Sequence, residues 1–257
     1  MKLQKLLAMK NKFNSLLPSI HIIKQWIIPL LMLCVSIAFS DTYVPIKSHH
    51  ANYKVSVRGI DGILATTVSE FDKKYKAINK LETKGIVSIF MRGSVTESSE
   101  FFIDNKKLKP LLFTSTDTLS SKDKKIIIDF DWKNNKISTT IGATNDQRTS
   151  KELIYDRISL KYALMTDLKN NQLPNYYKLF EGEEIKHIEI SNVGKKNINV
   201  PFGEFEVIGV KNQAKGSSKL SILWCAEELD YLPVQIEQYR SNKLWMRANL
   251  IEYQPIL

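Results

Sequence analysis

Asp129 and Asp131 are two carboxylates whose spacing alone could do chemistry. They alternate with Ile126, Ile128, Phe130 and Trp132. A period of two puts both acids on one face of a strand, where a pair can share a proton, hold a cation or flank a glycosidic bond. The same pattern is the ordinary wet face of a half-buried strand, with the four apolar residues turned to the core. Other chemistry is poorly supplied. Beyond residue 40 the chain has His49, His50 and His187, with no HExxH, no CxxC and no paired Cys/His spacing, so no metal centre is nominated. His49-His50 reads as a solvated pair. There is no GxSxG elbow and no SxxK. The ten glycines are too few, and too confined to turns, for a phosphate loop. No catalytic residue and no cofactor follow, and a non-enzymatic protein is expected. Cys225 follows Trp224 in an apolar run and is expected to be buried and inert. Phe130, Trp132, Trp224 and Trp245 are the remaining handle. In a curved sheet such aromatics either pack the core or line a cavity for an apolar ligand.

The first forty residues set the context. Lys2, Lys5, Lys10, Lys12 and Lys24 precede the apolar run Trp26–Phe39, and Ala38 and Ser40 are the small residues a signal peptidase reads. The run is about 14 residues, short of the roughly 18–20 that span a bilayer. We therefore expect a secretory signal peptide over residues 1–40, cleavage between Ser40 and Asp41, and a periplasmic chain of residues 41–257. An uncleaved anchor is the alternative. A lipoprotein signal is not, because Met32 and Leu33 precede Cys34 where small residues are required. Without the five leader lysines the net charge falls from +10 to +5. That surplus does not argue for nucleic acid, though it allows peripheral contact with anionic lipid. With Cys34 removed, Cys225 is the single thiol left, so no intramolecular disulfide can form.

From Ala51 onward the hydrophobic period is two. Tyr53, Val55 and Val57 alternate with polar residues, Gly59-Ile60-Asp61-Gly62 turns the chain, and Ile63–Phe71 returns. At least one further strand is read within Ile86–Phe102, around Met91-Arg92-Gly93, and others at Leu111–Leu119 and at Ile126–Trp132 with Ile137–Ile141. Residues 142–151 read as a polar loop. Tyr155, Ile158, Tyr162, Met165 and Leu168 change the period to three and four, which predicts one helix over about residues 155–170. Strands resume at Tyr176–Phe180, Glu184–Ile190, Phe205–Lys211, Leu220–Cys225, Leu232–Tyr239 and Leu244–Tyr253, with turns at Asn192-Val193-Gly194 and Pro201-Phe202-Gly203. About 10–12 antiparallel strands cannot stay flat. The expected fold is mainly β: one strongly curved antiparallel sheet or half-open barrel, single-domain, with the helix covering its concave side.

Several short motifs carry a family resemblance. They are Tyr53-x-Val55 before a glycine turn, Leu108-Lys109-Pro110, Phe130-Asp131-Trp132, Tyr155-Asp156-Arg157-Ile158-Ser159-Leu160-Lys161-Tyr162, Val200-Pro201-Phe202-Gly203, Trp224-Cys225-Ala226 and Tyr231-Leu232-Pro233-Val234. Together they resemble the exported bacterial family called domain of unknown function 3108, over essentially the whole chain beyond the leader. The ending, from Trp224 through Tyr231-Leu232-Pro233 to Ser241-Asn242-Lys243, is also similar in pattern to periplasmic lipoprotein carriers of the LolA type, which are half-open barrels with an apolar concave face under a helical lid. Neither resemblance supplies catalytic residues. The leading expectation is a cell-envelope binding protein holding a lipid, an acyl chain or a lipoprotein, with Phe130, Trp132, Trp224 and Trp245 as its apolar lining. The alternatives are a scaffold that binds another envelope protein, and a polysaccharide hydrolase built on Asp129 and Asp131.

Overall fold

The computed structural model describes residues 46–84, 93–119 and 124–256. The N-terminal residues expected to be a signal peptide, Cys34 among them, and the residues around Met91 lie outside them. Two meanders make the fold. The first runs β1 (His49–Val57), β2 (Ile60–Phe71), β3 (Lys74–Thr83), β4 (Ser94–Asp104), β5 (Lys107–Asp117), β6 (Lys124–Asp131), β7 (Lys136–Ile141) and β8 (Thr144–Thr149). A helix, α1 (Arg157–Lys169), follows. The second meander is β9 (Tyr176–Phe180), β10 (Ile185–Val200), β11 (Gly203–Ala214), β12 (Lys219–Ala226), β13 (Leu232–Arg240) and β14 (Lys243–Pro255). β1 pairs antiparallel with β14 from His49↔Pro255 to Val57↔Met246. That pairing joins the meanders into one 14-stranded antiparallel sheet with β8 and β9 at its edges. So long a sheet must curl, and this one forms a half-open barrel around α1.

Short-range chemistry explains the meander. Arg58-Gly59, Asp72-Lys73, Asn105-Lys106 and Ser241-Asn242 all have positive φ at both residues, which is the two-residue turn whose twist matches the adjoining strands. Asp72 and Lys73 carry no glycine or proline signal, which is why β3 escapes a pattern reading. β8 is a second departure: residues read as a polar loop form an edge strand, Thr144–Thr149, paired to β7. Its short, polar character suits an edge that must not recruit another chain. The third is Asn192-Val193-Gly194, read as a turn. β10 is continuous there, and the sequence makes a bulge between Asn192 and Lys195.

The two edges meet without sheet pairing. Tyr155 instead forms a parallel bridge to Leu179, so the segment entering α1 lies along the free edge of β9. The Arg148 guanidinium of β8 lies 4.9 Å over the Phe180 ring of β9. Gly182, in the β9–β10 turn, has φ +105°, and a Cβ there would stand 3.2 Å from Ile141 Cδ1. That turn therefore rests on β7.

Hydrogen-bonded side chains fix α1. The Asp156 carboxylate caps it, accepting from Ile158 N (2.8 Å) and Ser159 N (2.9 Å), and Ser159 closes a capping box. The same carboxylate accepts from Ser99 Oγ of β4 at 2.7 Å and is 1% exposed. Further along, Asp167 accepts from Lys107 Nζ (3.2 Å) and Tyr177 Oη (2.8 Å). At the C-terminus Lys169 pairs with Asp230 at 2.8 Å, where a cation suits the helix dipole. Tyr162 stacks on Phe101, which stacks on Tyr75.

Strand register identifies the face that α1 covers. Tyr53, Val68, Ala77, Phe101, Phe113, Ile128 and Leu250 all point to it, and all are 0–1% exposed. On β6, Ile126, Ile128 and Phe130 are buried there and Asp129 is exposed, as the period of two demands. Phe130→Ala should cost about 3–5 kcal/mol in denaturant titrations, and Asp129→Ala less than about 0.5 kcal/mol. The reverse ranking would contradict the register.

His49 supplies a pH test of the same packing. Read from the sequence as half of a solvated pair, it is instead 3% exposed on β1, where the strand period turns it inward and leaves only His50 in water; its Nδ1 bonds the Lys47 carbonyl at 2.9 Å, and its Nε2 has no partner. Burial pushes its pKa down from 6.5 to about 4. The unfolded chain therefore takes up the proton first, so the stability this residue contributes is complete above the unfolded value and is lost as pH falls towards 4. The loss should reach about 3 kcal/mol. Unfolding titrations between pH 7 and 4 should fall more steeply for the wild type than for His49→Phe, and equal slopes would contradict the assignment.

Candidate binding hollow on the concave face

Inward-facing positions change character along the strands. Near the β2–β3, β4–β5 and β6–β7 turns the concave face is filled. Toward the opposite end, Val57, Leu64, Leu81, Val95, Ile236 and Met246 face inward and are half-buried. Ile60, paired to Val57 at the rim, is 40% exposed. The helix is too short to fill both ends: its 13 residues span about 20 Å. Its packed residues include Ile158, Ser159 and the whole of Tyr162–Leu168. Arg157, Leu160 and Lys161 remain accessible, and their i, i+3, i+4 spacing makes them one face.

On the second meander the same end of the concave face is a hollow of about 640 Å³, the size of a small-molecule site. Leu179, Ile188 and Ala214 give it apolar floor, and Lys186, Lys215, Lys219 and Arg240 surround it with cations. Glu181, Glu184 and Lys186 are shared with a neighbouring hollow of about 230 Å³, which reaches Ile126 of β6 and Arg157 of α1.

A charged relay crosses this region. Lys186 pairs with Glu181 at 2.7 Å. Arg157 reaches Glu181 at 3.7 Å and Glu97 at 3.3 Å, and its guanidinium lies 5.4 Å over the Phe113 ring. Burial pushes the Glu97 carboxyl above its usual range despite the opposing pull of Arg157 and the Ser115 hydroxyl. Among the described residues Lys161, Lys215, Lys219 and Arg240 make no ion pair. Arg240 lies 3.5 Å over the Trp245 ring.

The four aromatics read from the sequence are not brought together. Phe130 is 3% exposed in the filled half and stacks on Trp132 at 6.0 Å. Trp132 lies past the end of β6, and its Nε1 donates to the Pro110 carbonyl at 2.6 Å. Trp224 is on the other face of the sheet. It pairs with Gln235, which pairs with Asn249, between the inward residues Ala248 and Leu250. There Trp224 lies against Gly209, where a Cβ would come 2.4 Å from its ring, and under Lys196 Nζ at 3.6 Å. Its Nε1 donates to Glu237 at 3.1 Å, and Tyr239 and Arg247 donate to the same carboxylate. Burial would raise the Glu237 pKa, but these donors outweigh it and hold the group below its ordinary value. Trp245 sits half-buried beside the β13–β14 turn. The expected lining is thus corrected: periodicity puts an aromatic on one face of a strand but does not say which face is concave, and here both carry buried residues.

Asp129 stands exposed on β6, and Asp131 is engaged with the turn that follows. Asp131 accepts from the Asn134 backbone N–H (3.1 Å) and Nδ2 (2.6 Å), which orders the β6–β7 turn and lowers its pKa. Among the described residues no group of three or more His, Cys, Asp and Glu could hold a metal. Cys225 is buried, and burial pushes its thiol pKa far up. The wall Val57, Leu64, Leu81, Val95 and Met246 went unassigned because nothing in the sequence says how far a helix fills a barrel. Arg157 and Lys161 are the legible signal: two cations one turn apart, flanked by Ile158, Leu160, Ala163 and Leu164.

One solved structure shares this architecture. A crystal structure of a β-barrel-like protein of domain of unknown function DUF1849, from Brucella abortus, matches with a TM-score of 0.58 at 10% identity, over 83% of this chain and 99% of that one. A Bacteroides fragilis protein described as exported, with a YmcC-like fold, matches with a TM-score of 0.34 at 10% identity, over 82% and 98%. No curated protein matches. The family described as protein of unknown function DUF3108 matches residues 51–242, and the chain is a member of that family.

Proposed function

We propose that this protein is an exported, non-enzymatic binding protein of the cell envelope that holds an amphiphile in the open half of its barrel. The observation that carries the reading is the contrast along one face. Tyr53, Phe101 and Phe113 are sealed, whereas Val57, Leu64, Leu81, Val95 and Met246 remain partly exposed on the same face of the same or neighbouring strands. Apolar surface left accessible inside a curved sheet is costly in water and is relieved by an acyl chain, at about 0.8 kcal/mol per methylene buried. The hollow of about 640 Å³ gives room, and the surplus of cations on the concave face, Lys161 of α1 among them, favours an anionic or zwitterionic amphiphile. Export rests on the lysine-rich leader and the short apolar run.

Protein recovered from the periplasmic fraction should begin at Asp41 and carry acyl lipids detectable by mass spectrometry after native purification. A fluorescent fatty-acid probe should bind the wild type at micromolar concentration. Leu81→Trp, which fills the open half, should weaken that binding at least about tenfold with little loss of stability. Trp245→Ala should leave it unchanged. If the wild type carries no lipid and takes up no acyl probe, the scaffold reading replaces this one.

A further inference from the structure

Lys161 is a cation inside the barrel without an anion. It lies on the accessible face of α1 beside Arg157, but where Arg157 reaches Glu97 and Glu181, no carboxylate pairs with Lys161 among the described residues. Its ammonium rests 4.6 Å from the centre of the Tyr162 ring, and Tyr162 is packed on Phe101 of the concave face. Two more polar atoms nearby have no partner. The Tyr162 hydroxyl is fully buried and unbonded, and so is His49 Nε2, whose ring lies 6.3 Å from that of Tyr162. Burial with no compensating acid lowers the Lys161 pKa to about 8, so it is still mostly charged at neutral pH. A desolvated cation and an orphaned hydroxyl donor are expensive to maintain. They are also what a head group with anionic oxygens requires.

We infer that Lys161, with the Tyr162 hydroxyl, is the anchor for an anionic head group, carboxylate or phosphate, of a single-chain amphiphile whose chain lies along the Leu64–Leu81–Val95 wall. This rests on the binding function proposed above and specifies the ligand's charge and orientation: head toward the helix, chain toward the rim. The oxygens accept from Nζ and Oη, and no covalent step is involved.

The test compares dodecanoate, dodecyl phosphate and dodecanol on wild type, Lys161→Met and Lys161→Arg, by displacement of a neutral fluorescent probe. The wild type should prefer one or both anions over the alcohol by about tenfold or more. Lys161→Met should bind all three alike, and Lys161→Arg should retain the preference. Lys161→Met should also keep or raise the melting temperature, because it removes an unpaired, partly desolvated charge, whereas a structural lysine would lower it. Which anion binds tighter distinguishes a fatty-acid carboxylate from a phosphate head group. Wild type that binds the alcohol as well as both anions overturns the anchor and leaves the binding function standing. Wild type that binds none of the three overturns the binding function itself.

Discussion

A carboxylate buried near each end of one helix sets the interior of this protein. Asp156 ties the first turn of α1 to Ser99 of β4, and Asp167 ties the last turns to Lys107 of β5 and Tyr177 of β9. Those contacts leave the helix little freedom to slide or rotate. With that orientation fixed, Tyr162 must pack on Phe101, and the Arg157–Leu160–Lys161 face must look away from the packed sheet. The sealed half, the open half and the unpaired ammonium all follow from how the helix is held. Breaking a buried, multiply bonded carboxylate such as Asp156 would orphan donors on both helix and sheet, a larger penalty than losing an exposed cap.

The sheet supplies the complementary constraint. Its first and last strands pair, so the most sequence-distant segments are neighbours, and the eight-stranded and six-stranded meanders share one curved wall. Within each meander the contacts are local, set by two-residue turns with left-handed residues. At one end of this wall the 13-residue helix leaves Val57, Leu64, Leu81, Val95 and Met246 half-buried. The open end therefore belongs to the fold itself, and what varies is its lining: apolar on β1 to β4, cationic on β9 to β13.

Much of this was legible before any coordinates, for identifiable reasons. Alternation in Ile126–Trp132 specified the faces of β6 because that strand has one dry side and one wet side. The change of period after Tyr155 specified α1 to within two residues, since nothing but a helix places Ile158, Tyr162 and Met165 on one stripe. β3 was not legible, because its entry turn, Asp72-Lys73, uses residues that tolerate positive φ without advertising it. The β10 bulge was misread as a turn because Asn192 and Gly194 serve either purpose. The aromatic lining was misassigned for a deeper reason. Trp224 is inside a buried cluster, as its chemistry demands, but the cluster lies on the face away from α1, and only long-range register distinguishes the two faces. Lys161 is the converse. Its type and spacing are visible in the sequence, but that no carboxylate pairs with it among the described residues is a property of the assembled barrel.

The open half of the concave face is thus proposed as the binding site, and the sealed half is core. Methyl-labelled NMR titrated with dodecanoate tests it most directly, because each tier carries its own methyl groups. Shifts should concentrate on Leu64, Leu81, Val95, Ile236 and Met246, leaving Val68, Ile128, Ile137 and Leu250 nearly still. Shifts confined to outward residues such as Ile78 and Val193, or no saturable shifts at all, would contradict it.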